Sequence, residues 1–299
     1  MNNLSKKTEE RSVYIMFVLP AFLLYFFVMA FPTVFSIWLS LTNYNGGRIF
    51  GNPNFGFKGI AAYKNIFSDS YFYMALKNNL MIVLISVFGQ IPLGFFLAYI
   101  LNRGIIRGTS FFQAMIYLPH VISAVIIGIL FNKFFLSSSS LWLEVRRIFD
   151  PAAEWVPGKN AMLPVLAVIL WMYTGTYMII FLANLQKIDS TIIEASKIDG
   201  ANEMQTLRYI ILPSLSGVVV TASILAISGS LKAFDLIYVM TEGGPAHRTS
   251  VLALYMFEKA FRDAPNYPVA NAISTVMVII SFILIAITRF TEKRLSRGQ

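Results

Sequence analysis

The chain has 299 residues, 57% of them hydrophobic and only 13% charged, with a mean hydropathy of +0.65. Soluble domains carry about 25% charged residues, so this composition belongs to an integral membrane protein. The net charge of +9 is scattered over the segments between apolar runs, which argues against a nucleic-acid surface, and the absence of cysteine excludes disulfides and thiolate chemistry.

Windows of about 20 apolar residues, the length a bilayer requires, predict spans at Tyr14–Leu41, Leu76–Leu101, Phe111–Phe135, Met162–Leu185, Leu215–Met240 and Val269–Phe290. Lys6, Lys7 and Arg11 precede the first run, but it is too long for a signal peptide and lacks a small-residue cleavage site. Pro20, Pro92, Pro119 and Pro164 fall in or near spans and are expected at kinks. Asn43–Phe57, rich in Asn, Gly and Phe, reads as an ordered loop with turns, and Ser137–Ser140 is too short for a low-complexity segment. Arg103 and Arg107 follow span two, and Arg289, Lys293, Arg294 and Arg297 follow span six. With the N-terminal cations they predict both termini and the even-numbered loops on the cytoplasmic side. The odd-numbered loops also carry cations, such as Arg146 and Arg147, diluted there by Glu144, Asp150 and Glu154. No internal repeat or soluble domain is apparent.

Span four gathers Trp171, Tyr173, Thr174, Thr176 and Tyr177. Such clusters serve as packing and interface belts. Aromatic faces with hydroxyls also suit a sugar, and transporters bind near mid-membrane. The polar interval Asp189–Pro213 then carries helix punctuation. Thr191 with Glu194 reads as a capping box, with Asp189 and Ser190 as spare caps, and Gly200 suits a left-handed helix end. Asn202 with Gln205 starts a second helix that Pro213 closes. Lys232 and Asp235, three apart in span five, either pair on one helix face or line a polar path. Gly243-Gly244-Pro245 reads as an outer turn requiring positive φ. His120 and His247 have no partner at metal-ligand spacing, and Pro157-Gly158-Lys159 lacks the rest of a phosphate loop. The sequence offers neither a catalytic constellation nor a bound cofactor, and the chain cannot hydrolyse ATP alone.

Glu194-Ala195-Ser196, Gly200, Ile210 and Leu212-Pro213 resemble the EAA loop of ATP-binding-cassette (ABC) importer permeases. The departure is Ser196, where that family has Ala. Leu185-Gln186-Lys187-Ile188 is similar to the family run before that loop, with Asp189 in place of its usual Pro. Phe234-Asp235, Ile237-Tyr238-Val239-Met240-Thr241, Gly243-Gly244-Pro245, Thr249 and Tyr255 resemble the signature after span five in the carbohydrate-uptake branch, of maltose and glycerol-phosphate permease type. The resemblance implies an all-α, six-helix type-1 importer transmembrane domain. It would comprise a tail, first helix and outer loop over residues 1–75, a core over 76–290 with a coupling loop at 189–212, and a tail at 291–299. It further implies docking on an ATPase through Glu194, Ala195, Ser196, Asp199, Gly200 and Ala201. The solute pathway would use Trp171, Tyr173, Thr174, Thr176, Tyr177, Ser230 and Ala233, with Lys232 and Asp235 as a structural pair.

The implied partners are a second, different permease, an ATPase dimer carrying ATP and Mg, an extracytoplasmic solute-binding protein and the lipid bilayer, with no nucleic acid. The implied location is the bacterial or archaeal cytoplasmic membrane. The rival reading is an ion-coupled secondary transporter, a class that shows inverted repeats and isolated intramembrane carboxylates.

Overall fold

The computed structural model describes residues 2–49, 55–104, 106–136, 143–144, 147–148, 161–262 and 264–296, with side chains between residues 13 and 290. Ser137–Ser140, Arg146, Asp150, Glu154, Pro157–Lys159 and Arg297 lie outside the described residues. The described chain is helical, with one β-bridge between Thr42 and Phe57. In order the helices are α1 (Asn2–Tyr25), α2 (Phe31–Ser40), α3 (Ala61–Ser68), α4 (Ser70–Ile85), α5 (Ile91–Asn102), α6 (Thr109–Val121) and α7 (Ala124–Phe131). There follow α8 (Met162–Leu185), α9 (Ser190–Ile198), α10 (Glu203–Thr206), α11 (Leu212–Ser214), α12 (Ser216–Leu231), α13 (Asp235–Thr241), α14 (Leu252–Phe261) and α15 (Tyr267–Ser296).

Among the described residues four stretches are long and apolar enough to cross a bilayer: Val13–Ser40, Ser70–Asn102, Met162–Leu185 and Tyr267–Phe290. Two bent pairs bring the number to six, Thr109–Val121 with Ala124–Phe135 at 87° and Glu203–Ser214 with Ser216–Leu231 at 63°. Spans three and five are therefore broken where hydropathy predicts continuous helices. Span five ends at Leu231, and Asp235–Thr241 is a separate helix.

The prolines follow a common physical rule. A proline cannot donate to the carbonyl four residues back, and its ring would strike that carbonyl. Ahead of Pro92 the helix widens into a π turn at Ser86–Gln90, and the Ile91 amide reaches back five residues to the Ser86 carbonyl. Similar turns precede Pro32, where Phe31 reaches Phe26, and Pro213, where Leu212 reaches Leu207. Pro164 stands in the first turn of α8, where no bond is lost. The sharp bend of span three comes after Pro119, at Ile122, with Ser123 capping α7 through the Val125 amide.

The chain divides into two compact units, Met1–Ser68 with Met256–Val276, and Asp69–Tyr255 with Met277–Gln299. In the first, the Ser36 hydroxyl donates to Asn271 at 2.6 Å, and the Ser40 and Tyr63 hydroxyls lie 2.7 Å apart. The loop after α2 is closed by Lys58 N–H to Leu41 O at 2.8 Å and Gly56 N–H to Asn43 Oδ1 at 2.7 Å. Its ends are thus ordered, as its turn-forming composition predicts.

The second unit is built on α8. Lipid gives little hydrophobic drive for helices to associate, so close packing at small residues must supply it. A Cβ on Gly94 of α5 would lie 2.7 Å from Tyr177 Cβ and 2.9 Å from the Met178 amide nitrogen of α8. One on Gly175 of α8 would lie 2.9 Å from Tyr117 Cα of α6. Ile91, Ala98 and Leu101 are buried with Met178, Phe181 and Leu182 around these contacts. The half-helices α7 and α13 pack together as well: Gly128 faces Val239, and Asn132 Nδ2 donates to Met240 O at 2.5 Å.

Gly94→Ala must push α5 off α8 and should destabilise the protein by about 1–3 kcal/mol, as overpacking does. Gly229→Ala, whose Cβ would meet nothing within 4 Å, should be tolerated. Thermal unfolding of both variants in detergent checks the contrast.

Candidate functional site

The second unit contains a cavity of about 180 Å³. Ser86 and Gln90 line it from the π turn between α4 and α5, and Tyr173 and Tyr177 from α8. Gly229, Ser230 and Lys232 through Ile237 complete much of the wall. The break after Leu231 lies in this wall: Lys232 is at φ −91°, ψ 0° and Phe234 at φ −136°, ψ −61°, outside regular helix. An unwound segment at membrane depth needs partners for its polar groups. Buried Asn79 of α4 serves the two helix ends beside it, its Nδ2 donating to Ser230 O in the last turn of α12 at 2.9 Å and its Oδ1 accepting from Leu252 N–H at the start of α14 at 2.7 Å. Neighbouring Asn78 donates to the Arg248 and Ser250 carbonyls. The Ser230 hydroxyl donates to Ala226 O at 2.7 Å and lies 3.1 Å from Ser86 Oγ. Gln90 Nε2 donates to Ile169 O at 2.8 Å.

Of the expected pathway residues, Tyr173, Tyr177, Ser230 and Ala233 line this cavity, and Trp171, Thr174 and Thr176 do not. Trp171 stands edge-on to Phe131, with ring centroids 5.5 Å apart. Thr174 donates back to Leu170 O at 2.5 Å, and the buried Thr176 Oγ1 has no hydrogen-bond partner. Lys232 and Asp235 do not share a helix face, because the helix ends between them. Among the described residues no ion pair joins them, and both line the cavity instead. That corrects the geometry expected of an (i, i+3) pair.

At the turn after α13, Gly243 takes the positive φ (+79°) whereas Gly244 does not, and Thr249 Oγ1 donates to Gly244 O at 2.9 Å. His120 lies beside two tyrosine rings, tilted to Tyr117 at 5.5 Å and edge-on to Tyr173 at 5.6 Å between centroids. No group of acids and histidines able to hold a metal occurs among the described residues.

The polar interval after α8 forms two helices joined by a tight bend. Asp189 is the N-cap of α9, accepting the Thr191 amide at 2.9 Å, so the expected Thr191–Glu194 capping box is replaced by the preceding acid. Gly200, at φ +81°, ends α9 in a Schellman arrangement, with Ala201 N–H to Ser196 O at 2.9 Å and Gly200 N–H to Lys197 O at 3.1 Å. The second capping box is complete, Asn202 N–H to Gln205 Oε1 at 2.7 Å and Gln205 N–H to Asn202 Oδ1 at 2.9 Å. Helix continues past Pro213 to Ser214, and the chain bends at Leu215. Ser196 is buried in the bend, its hydroxyl donating to Ile193 O at 2.8 Å and lying 3.2 Å from Thr206 Oγ1, which ties α9 to α10. Glu194, Ala195, Asp199 and Gly200 are exposed, and Ala201 is half-buried.

Sequence reasoning missed what holds this loop. Arg103, just after α5, grips Glu203 with both guanidinium nitrogens, Nη1 to Oε2 at 2.6 Å and Nη2 to Oε1. The Arg103 bonds hold the Glu203 carboxyl below its ordinary pKa, and the Thr191 amide does the same for Asp189. A depressed carboxylate contributes above its unfolded pKa and fails as pH falls through the folded one, so both contacts persist at neutral pH.

A broken-helix cavity joined to a capped two-helix polar loop defines a membrane-transport subunit. Residues 90–297 match the model of the binding-protein-dependent transport system inner membrane component family, and the chain belongs to that family. It is 32% identical over 274 residues to the lactose transport system permease protein LacF of Rhizobium radiobacter, covering 90% of each chain. It is 33% identical over 270 residues to the multiple sugar-binding transport system permease protein MsmF of Streptococcus mutans, covering 89% of each. Its fold matches a chain of a bacterial ABC transporter that imports the acidic polysaccharide alginate, at a TM-score of 0.79 and 20% identity over 98% of this chain and 99% of that one. A bacterial alginate ABC transporter solved in complex with an alginate-pentasaccharide-bound periplasmic protein matches at a TM-score of 0.79 and 18% identity, over 97% of both chains.

Gly200→Ala meets no atom within 4 Å, so its cost is conformational alone. It should raise amide exchange at Gly200 and Ala201 by about 5–30-fold, equivalent to about 1–2 kcal/mol. Native-state hydrogen exchange measures this directly.

Proposed function

We propose that this chain is the permease subunit of an ATP-driven ABC importer that moves a sugar or oligosaccharide across the cytoplasmic membrane of a bacterium or archaeon. The observation that carries this reading is the capped two-helix loop, fixed at both ends and offering an exposed face. Glu194 stands on that face with Ile198, which is 86% exposed. An apolar side chain that bare on a short polar helix fits a partner groove. The loop lies on the cytoplasmic side, which the Lys and Arg distribution supports, and rests on an ATPase dimer that holds ATP and Mg. The permease itself is not an enzyme.

The cavity is the solute-facing part of the pathway. Tyr173 and Tyr177 supply aromatic faces, and Ser86, Gln90, Ser230, Lys232 and Asp235 supply polar groups for a hydroxyl-rich solute. A second permease completes the pathway, and an extracytoplasmic binding protein delivers the solute. Relatives named for lactose and for multiple sugars support a carbohydrate cargo.

Copurification with an ATPase, followed by binding-protein-dependent uptake in vesicles, tests the proposal, and ion-driven uptake by this chain alone overturns it. Asp189 already caps α9, so Glu194 is free to act as a docking acid. Glu194→Gln and Glu194→Ala should both assemble normally and both lower solute-stimulated ATP hydrolysis, by about 10–150-fold if one charge-assisted contact is lost. A normal Gln variant beside a failing Ala variant would make Glu194 a local helix stabiliser instead.

A further inference from the structure

One continuous helical rod joins the polar loop to the cavity wall. Ser70–Asn102 is a single span containing α4, the π turn and α5. Its π turn puts Ser86 and Gln90 on the cavity, and its far end carries Arg103, which grips Glu203. Between these points Gly94 brings α5 against Tyr177, itself a cavity residue. The covalent route from loop to cavity is less direct. From α10 the chain passes a π turn and bends by 63° at Leu215 before α12 leads to Ser230.

On the importer reading given above, we propose that Arg103 and Glu203 are positioning residues. They form a two-point clamp that makes α5 move with the polar loop, so that docking events at the loop reach Ser86, Gln90 and Tyr177 without passing the bend at Leu215. Three features favour the clamp over an incidental surface pair. The contact is bidentate, which fixes the plane of the carboxylate as well as its distance. Both partners are held from behind, Arg103 by the Tyr99 ring at 5.4 Å and Glu203 by the capping box that starts its helix. The neighbouring side chains of Ile106, Ile188 and Leu207, packed on the cluster that holds Leu101 and Leu185, are apolar and carry no such directional bond. An exposed pair adds little to folding stability, so its removal leaves the protein assembled.

The chain has no native cysteine, so Gly229→Cys, on the cavity wall with room for its side chain, gives this chain a single thiol reporter. Its labelling rate by a water-soluble maleimide is measured in the complete complex, with and without ATP plus orthovanadate. In the reporter complex trapping should change the rate. Arg103→Gln and Glu203→Gln should each shrink that change by about 2–30-fold, the range produced by mutations along a coupling network, with the ATPase still bound. Exchanging the charges, Arg103→Glu with Glu203→Arg, should restore most of it, and Arg103→Lys should restore less than Arg103 itself gives. An unchanged response in both single variants, or impaired singles that the exchange does not rescue, overturns the clamp alone. No response in the otherwise unaltered reporter complex overturns the importer reading and the clamp with it.

Discussion

Backbone-to-backbone contact at two glycines sets the geometry of the larger unit. Gly94 and Gly175 let α5 and α6 approach α8 so closely that a methyl group would strike Tyr177 and Met178 on one side and Tyr117 on the other. In water such contacts would be one contribution among many. In lipid, where apolar surface gains little by leaving the solvent, they largely decide which helices touch. The cavity inherits this arrangement, because Tyr173 and Tyr177 project from the helix that the glycines hold in place.

The second constraint is backbone polarity. Spans three and five break within the apolar zone, and a break there is tolerable only if the freed groups find partners. Asn79 serves the end of α12, Asn132 serves the end of α13, and Ser123 caps α7. The π turns do similar work for Pro32, Pro92 and Pro213, since each widens the helix just where a proline would otherwise collide with a carbonyl. At Pro92 that widening also delivers Ser86 and Gln90 to the cavity.

Much of this was legible in the residues. Hydropathy located spans one, two, four and six, because span length is a property of the bilayer, and it read the bent spans three and five as straight. Gly200 and the Asn202–Gln205 box could be read because capping is local chemistry, with donor and acceptor within a few residues. Thr191 with Glu194 reads as the capping box and Asp189 as a spare, but the helix begins at Ser190, ahead of Thr191, which makes Asp189 the cap. The break after Leu231 was invisible because averaging over an apolar window removes a three-residue interruption, and with it went the supposed pairing of Lys232 and Asp235. Asn78, Asn79, Gln90 and the Arg103–Glu203 clamp were missed for another reason. Their partners lie far away in sequence, from 79 to 173 residues, and no local pattern announces them.

The exposed face of α9 is the surface through which a hydrolysing subunit would act on this chain, so what it touches decides the function. A photo-crosslinking amino acid placed at Ile198 in the complete complex, with a second at the exposed Phe88 as reference, reads this out in one experiment. The account predicts that Ile198 crosslinks to the nucleotide-hydrolysing subunit and that Phe88 does not. Adducts from Ile198 to lipid alone, with the hydrolysing subunit recovered on another surface of the chain, would contradict it.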